Sequence, residues 1–176
     1  VKDFLHKKHQ EIIKEESELE KMLPKLESIY GSSQTKTKIE VFIGWKGMET
    51  VYLNLFNEAK AGDEARIIGA GTGKDEEKLE TFYSKYGRIA FQKKLKIKVI
   101  FNESAKDYIQ RIERNIKKKY NKRFLFGHTP TEISTLNDST AILIRRKEPI
   151  IILIKDKETA DSFKSYFDEL WKIAKK

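Results

Sequence analysis

Hydrophobic and polar positions along residues 38–119 alternate between two periodicities. Short β-rich runs are each followed by a stretch in which apolar side chains recur at helical spacing, as in residues 48–60. This βαβαβα order predicts an α/β fold with a largely parallel sheet, because parallel strands are joined by right-handed crossover helices. The predicted strands are 39–44, 65–70 and 95–101, and the predicted helices are 48–60, 76–92 and 105–119.

After residue 120 the pattern changes to strands that follow one another without an intervening helix. Residues 150–154 are apolar at every position, which is typical of a strand covered on both faces. Residues 137–139 and 147–149 have the composition of tight turns. Helical spacing returns at 157–175 and predicts a helix that closes the fold on the sheet. The predicted strands of this half are 123–126, 132–137, 140–145 and 150–155.

The first thirty residues have a heptad periodicity, with Leu or Ile at every seventh position and charged residues between them. This pattern predicts a short coiled-coil-like helix in residues 1–30 that dimerises the chain. An amphipathic helix packed on its own domain is the alternative interpretation. Residues 31–37 form a small, polar linker, and residues 38–176 form the following domain. The predicted dimer contacts are Leu5, Ile12, Leu19, Leu23 and Leu26.

Composition narrows the possible kinds of site. The 176 residues include no Cys and three His, which excludes disulfides and thiolate metal sites and makes a zinc or iron centre improbable. We expect no cofactor. No segment approaches the run of about eighteen apolar residues that a membrane span needs, and the first ten residues lack a signal-peptide apolar region. The sequence therefore predicts a cytoplasmic protein without a membrane partner.

Positive charge is concentrated after residue 31, and the chain has a formal net charge of +9. A basic run at residues 111–123 spans the end of a predicted helix. Such charge favours nucleic acid or another polyanion as a partner. Cations in a last helical turn also stabilise the helix dipole, and no aromatic stacking platform accompanies the run. A solvated basic face is therefore favoured over a dedicated DNA surface.

Residues 131–138 resemble a phosphoryl-transfer motif that has lost two of its three functional side chains. In the HxKxxxxD motif of the phospholipase D superfamily, Thr131 would be His, Ile133 would be Lys and Asp138 would be the Asp. The order of elements, the turn at 42–47 and the segment 163–171 resemble the C-terminal region of archaeal TrmB-type transcriptional regulators. The resemblance implies a phospholipase D-like half with a mixed, mostly parallel sheet flanked by helices.

The resemblance also implies an effector-sensing and dimerising module of a regulator whose N-terminal winged-helix DNA-binding domain is absent from this chain. Thr131 has no adjacent base to activate its alcohol, and Ile133 cannot stabilise a charged phosphate. We therefore expect a protein that is not an enzyme. One alternative is a dimerisation module without a ligand. The other is a phosphodiesterase or nuclease of the phospholipase D superfamily.

Ligand candidates lie in the loops after the predicted parallel strands, where open α/β sheets bind ligands. Trp45 and Lys46 offer an aromatic face and a cation, although Trp45 is equally suited to packing at the start of a helix. Gly71 and Thr72 belong to a glycine-rich turn whose amides could approach an anion or simply form a flexible turn. Asn102 supplies hydrogen-bonding groups.

Four further candidates complete the set. Glu103 follows Asn102, and Thr131 lies in the motif. His128 contacts a ligand or serves as a structural His before a Thr-Pro turn. Asp138 is interpreted chiefly as a turn former, since Asp bonds its own backbone in tight turns. The implied effector is a sugar or a phosphorylated metabolite.

Overall fold

The structure, a computed structural model, describes residues 37–125 and 127–176 together with His9. The chain divides into two units, Val1–Lys36 and Thr37–Lys176. The dimerising helix predicted for residues 1–30 lies outside the described residues except for His9, and it stays a prediction. Its predicted contacts are Leu5, Ile12, Leu19, Leu23 and Leu26.

Seven strands and four α-helices are found among the described residues, and they agree with the predicted elements to within a few residues. The strands are β1 (Lys38–Ile43), β2 (Glu64–Ala70), β3 (Lys96–Phe101), β4 (Asn121–Phe124), β5 (Thr131–Leu136), β6 (Ser139–Ile144) and β7 (Ile150–Lys155). The helices are α1 (Gly44–Glu58), α2 (Glu76–Gln92), α3 (Lys106–Ile116) and α4 (Lys157–Ile173), with a 3-10 turn at Glu103–Ala105.

The strands form one mixed sheet in the order β1-β7-β6-β5-β2-β3-β4. Of the six neighbouring pairs, β2–β3 and β3–β4 are parallel and the other four are antiparallel. The prediction of a mostly parallel sheet is therefore wrong. β1 and β2 run in the same direction as predicted, but β7, β6 and β5 lie between them. The antiparallel strands of the second half thus separate the first strand from the parallel ones.

The topology brings most of the loops to two opposite edges of the sheet. β2, β3 and β4 end at the upper edge, where β5 and β7 begin and where α1, α2 and α3 start. The C-termini of α2 and α3 and the β5–β6 turn lie at the lower edge. The upper edge comprises residues 43–47, 69–75, 101–105, 127–131 and 144–150. The lower edge comprises residues 58–63, 93–96, 117–121, 137–138 and 155–157.

The main core lies between the sheet and helices α1, α2 and α3, and α4 covers part of the other face. Ile151 and Leu153 of β7 are buried against the first group of helices. Ile150, Ile152 and Ile154 alternate with them and are half-buried, so β7 is fully covered on one face rather than on both as predicted. The second, smaller cluster centres on Ile100, Phe167 and Ala174.

Two helices have aspartate caps that satisfy their first amides. Asp75 accepts a hydrogen bond from the backbone N–H of Lys78, and Asp156 accepts one from that of Thr159. These caps fix where α2 and α4 begin. Among the described helices, none has the length and apolarity that a bilayer crossing requires.

Candidate functional site

The two ends of the motif-like segment do not share a site. Thr131 opens β5 at the upper edge, whereas Asp138 is exposed in the β5–β6 turn at the lower edge. A strand of this length separates them by about 20 Å. Asn137 has a φ of 52° in this turn, and the carbonyl of Asp138 accepts a hydrogen bond of 2.9 Å from the N–H of Asp156. Asp138 therefore belongs to the turn and not to the upper edge.

A buried ion pair lies beside the motif positions. Successive side chains of a strand point to opposite faces, so Glu132 points away from its half-buried neighbours and toward α1 and α2. Its carboxylate lies 3.5 Å from the guanidinium of Arg145, and the two side chains are 2% and 1% exposed. The hydroxyls of Tyr52 and Tyr83 donate to the same carboxylate at 3.2 Å. The acid is thus surrounded by one cation and two donors.

The charge of Glu132 is unfavourable to bury. Burial raises the pKa of Glu132 above its usual value, while Arg145 and the tyrosine hydroxyls act against that rise. Burial and the neighbouring carboxylate raise the pKa of Tyr52 and Tyr83 well above the usual value, so both hydroxyls stay protonated and donate. The buried pair and the two tyrosines therefore hold one another in place, and we interpret Glu132 as a structural residue and not as a ligand contact.

Arg145, directly after β6, ties the loops of the upper edge together. Its Nε donates to the carbonyl of Thr72 at 3.0 Å, and its Nη2 donates to that of Gly69 at 2.9 Å. Nη2 also donates to the carbonyl of Thr129. The glycine-rich turn therefore presents carbonyls to Arg145, and the guanidinium connects the loop after β2 to the loop before β5.

Gly69 and Gly71 cannot be replaced without strain, because neighbouring side chains lie too close to leave room for a Cβ. Gly69 has a φ of +73°, and a Cβ there would lie 2.8 Å from the Oγ1 of Thr129. A Cβ on Gly71 would lie 2.6 Å from the Nδ2 of Asn102. Asn102 is fully buried and exchanges hydrogen bonds with Thr129, whose hydroxyl donates to its Oδ1 at 3.1 Å. The turn is thus packed against the end of β3.

The structure brings four of the predicted site residues together and separates the others. Gly71, Thr72, Asn102 and Thr131 meet around Thr129 and Arg145 at the upper edge. Glu103 is exposed there, with its carboxylate 3.6 Å from the ammonium of Lys175. His128 and Lys46 are exposed at the same edge.

Trp45 lies at the start of α1 and joins it to the turn before β7. Its indole Nε1 donates to the carbonyl of Lys147 at 3.1 Å, and the ammonium of Lys78 lies 4.8 Å above its ring. The ring centre lies 6.4 Å from that of Phe82. One face of the indole is therefore already covered by a cation.

An open groove of about 780 Å³ runs along the upper edge beside Arg145. Three exposed cations, Lys74, Arg146 and Lys147, line it together with one acid, Glu148. None of the three cations forms an ion pair with another described residue. The remaining lining residues are Ile43, Pro130, Ile144, Arg145 and Ile150. The groove thus combines apolar walls with excess positive charge and can hold an anionic group.

Sequence reasoning missed the groove cations and the buried pair. Arg145 and Glu132 are the most buried charged side chains of the upper edge, and a charged residue at each end of a hairpin whose strands carry no other charge is the signal that could have found them. In the part of the chain that the structure describes, no cluster of three or more His, Asp or Glu side chains is arranged to hold a metal ion.

Comparison with known proteins identifies the fold. No protein-family model matches the sequence, and neither does any curated protein. The chain is similar to the structure of Nuc, a phospholipase D family member from Salmonella typhimurium, with a TM-score of 0.57 and 14% identity over 80% of this chain and 97% of that one. NucT from Helicobacter pylori gives a TM-score of 0.58 and 13% identity over 79% and 98% of the two chains.

A weaker similarity links the chain to TrmBL2, an archaeal chromatin protein whose structure shows a novel mode of DNA binding. The identity is 18% over 97% of this chain and 67% of that one, with a TM-score of 0.47. A TM-score below 0.5 adds nothing to the assignment of the fold.

The prediction that the chain is not an enzyme is contradicted by these comparisons. It rested on Thr131 and Ile133 at the motif positions, yet the fold is shared with a member of a family named for an enzyme. A fold that enzymes use does not allow catalysis to be excluded from two substituted positions. The domain formed by residues 37–176 has a phospholipase D-like fold.

Proposed function

We propose that residues 37–176 form a binding domain for a phosphate-bearing small molecule. The phosphate lies in the groove at the upper edge, between Lys74, Arg146 and Lys147. The groove itself is the observation that carries this proposal, because three cations without described ion-pair partners line one concave surface. Its volume of about 780 Å³ falls in the range of small-molecule sites.

The buried network below the groove supports this assignment. Arg145 forms part of the groove floor, and its hydrogen bonds to Gly69, Thr72 and Thr129 hold the surrounding loops in one arrangement. A preorganised site loses less conformational entropy when a ligand binds. Arg146 has the planar guanidinium that binds phosphate oxygens in pairs, while Lys74 acts as a point charge.

The biological role that we propose is that of an effector-binding and dimerising part of a TrmB-type transcriptional regulator. The sequence resemblance at residues 42–47, 131–138 and 163–171 supports this role. In it, the effector is a phosphorylated metabolite, residues 1–30 hold two copies together, and occupancy of the groove is signalled to a DNA-binding domain.

Hydrolysis of a phosphodiester in the same groove is a second candidate function. It is favoured by the phospholipase D-like fold and by His128, which is exposed two residues before the groove residue Pro130. A histidine imidazole can attack phosphorus directly, so this candidate places His128 as the nucleophile.

Thermal unfolding with and without ligands tests the binding proposal. Sugar phosphates and nucleoside monophosphates are compared with the same compounds lacking phosphate. A ligand at a hundredfold excess over its Kd adds about 2.7 kcal/mol of stability. The triple variant Lys74→Ala, Arg146→Ala, Lys147→Ala should lose this gain, whereas Lys172→Ala on the exposed side of α4 should keep it. A phosphate-independent gain, or none with any compound, contradicts the proposal.

Release of nitrophenol from bis(p-nitrophenyl) phosphate tests the second candidate. Turnover that disappears in His128→Ala and in the triple groove variant, but persists in Lys172→Ala, supports hydrolysis at this site. Turnover that survives His128→Ala removes that residue from the nucleophile's role.

A further inference from the structure

The lower edge of the sheet gathers lysines from two separate helix ends. Lys94 and Lys96 follow α2, and Lys117, Lys118 and Lys119 follow α3. Both helices run back against the direction of the parallel strands, so their C-termini reach the same edge. The strands that follow them are neighbours, since β3 and β4 pair in parallel. We refer to these five exposed side chains as the edge lysines.

Three other cations of the basic run at 111–123 differ from the edge lysines because they have side-chain partners. Arg111 is paired with Glu80 at 2.8 Å, the ammonium of Lys122 with Glu113 at 2.5 Å, and the guanidinium of Arg123 lies over the ring of Trp171. None of the edge lysines forms an ion pair with another described residue. Within the run at 111–123, Arg111, Lys122 and Arg123 are therefore held by other side chains, whereas Lys117, Lys118 and Lys119 form no ion pair with a described residue.

Two acids, Asp63 and Glu64, also lie at the lower end of β2. Asp63 accepts hydrogen bonds from the N–H of Lys60 and from the side chain of Asn137. These bonds, the backbone one first, lower the pKa of Asp63. Glu64 lies between Arg66 and Lys98, at 2.8 and 3.0 Å. Glu64 is therefore held by two other cations, whereas Asp63 accepts from neutral donors and keeps its negative charge.

Two of the edge lysines occupy backbone positions that suit glycine. Lys94 has a φ of 59° and Lys117 a φ of 55°, both in the left-handed region just beyond a helix end. A residue with a Cβ is strained there, and glycine is the usual choice. A cation can stabilise the helix dipole from a neighbouring position such as Lys118, without this strain. The chain therefore keeps charge at two positions where a side chain reduces stability.

We propose that the edge lysines bind the phosphate backbone of double-stranded DNA without sequence preference. Closely spaced phosphates can engage several lysines at once, and contacts to phosphate carry no base readout. Segments 94–96 and 117–119 contain no aromatic residue on which unpaired bases could stack, so duplex is favoured over single strands. They also contain no aromatic anchor to enter a lipid surface. This site lies opposite the groove and does not rest on the function proposed for the groove.

Fluorescence anisotropy of a labelled duplex of random sequence, titrated with the whole chain at salt concentrations from low to above physiological, tests the proposal. The logarithm of the binding constant should fall linearly with that of the salt concentration, with a slope of about −4.5 for five lysines. Lys118→Glu with Lys119→Glu should abolish binding at physiological salt. Lys172→Glu with Lys176→Glu, which changes the net charge equally at exposed positions away from this edge, should leave binding within about twofold.

A second double variant distinguishes a loss of charge from a loss of folding. Lys94→Gly with Lys117→Gly should raise the thermal midpoint and still weaken DNA binding, with a salt slope smaller by about 2. Unfolding therefore cannot explain that loss. Unchanged binding in this variant would overturn the proposal, as would an equal loss in the Lys172 and Lys176 control. Binding to phosphatidylserine vesicles but not to duplex at low salt would replace it with a membrane surface.

Discussion

Arg145 at the upper edge and Lys117 at the lower edge both follow the last residue of an element, yet their surroundings are opposite. Arg145 is buried and donates to Glu132 and to three backbone carbonyls. Lys117 is exposed, and its ammonium has no ion-pair partner among the described residues. The guanidinium of Arg145 holds loops of the upper edge in place, whereas the ammonium of Lys117 is presented to solvent.

The buried charge of Arg145 and the exposed charge of Lys117 therefore contribute differently to stability. A buried charge whose partner is removed keeps its full desolvation cost, so the upper edge is sensitive to substitution. An exposed charge contributes little to stability and is screened by salt. We therefore expect substitution of the buried pair at the upper edge to change folding, and substitution of the edge lysines at the lower edge to change DNA binding.

Among single substitutions at the two edges, Arg145→Met should have the largest effect on stability. It leaves the carboxylate of Glu132 buried without a cation and removes donors from the carbonyls of Gly69, Thr72 and Thr129. We expect a loss of about 3–5 kcal/mol in the free energy of unfolding, measured by urea denaturation. The double variant Glu132→Leu, Arg145→Met should recover part of that loss. A loss below about 1 kcal/mol would contradict the contrast between the two edges.

Gly71→Ala and Gly62→Ala compare a glycine at each edge. The added Cβ at Gly71 would lie 2.6 Å from Asn102, whereas at Gly62, with a φ of +94°, it would meet nothing within 4 Å. Overpacking should make the Gly71 variant less stable by about 1–3 kcal/mol, and backbone strain alone should cost the Gly62 variant about 1 kcal/mol. Equal losses in urea denaturation would show that Asn102 can move aside.

The pH dependence of stability should have opposite signs for acids of the two edges. The pKa of Glu132 is raised above 4.5 in the fold, so the folded state holds its proton longer and stability falls as pH rises above that value. The pKa of Asp156, lowered first by the amide of Thr159, gives stability that is present near neutral pH and lost as pH falls below 3.8.

Thermal midpoints measured from acidic to neutral pH check both signs. Relative to the wild type, Glu132→Gln should remove the decline above pH 4.5, and Asp156→Asn should remove part of the decline below pH 3.8. Parallel curves for Glu132→Gln and the wild type would show that Arg145 fully offsets the burial of the carboxylate.

Lys117→Gly should have the smallest effect on stability, and a favourable one. Relief of the left-handed strain should raise the free energy of unfolding by about 1 kcal/mol. Lys118→Gly, one residue further along, serves as the control and should not stabilise the protein. A destabilised Lys117→Gly variant would mean that the lysine makes a stabilising contact at the lower edge.

The elements were predictable from the sequence because their periodicity is local. The position of β1 was not, since it depends on pairing between Ile39 and Ile154, which lie far apart in the chain. The sequence predicted antiparallel runs after residue 120, but nothing in it showed that they would lie between β1 and β2.

The sequence predicted those parts of the candidate site whose positions follow from the strand topology alone. Gly71 and Asn102 follow adjacent parallel strands, so the rule for strand ends placed them together. Glu132 was missed because no residue near it in the sequence indicates a partner for a buried carboxylate. In the structure, Arg145 and two tyrosines, distant in sequence, provide those partners.

Trp45 gives the groove a natural optical reporter. Its indole is bonded to the carbonyl of Lys147, a groove residue, and carries the ammonium of Lys78 above its ring. The chain has two tryptophans, and Trp171 stacks on Phe167 on the other side of the sheet. Trp171→Phe would leave Trp45, at the groove, as the only tryptophan of the chain. Occupancy could then be followed as a change in emission, with no label attached to protein or ligand.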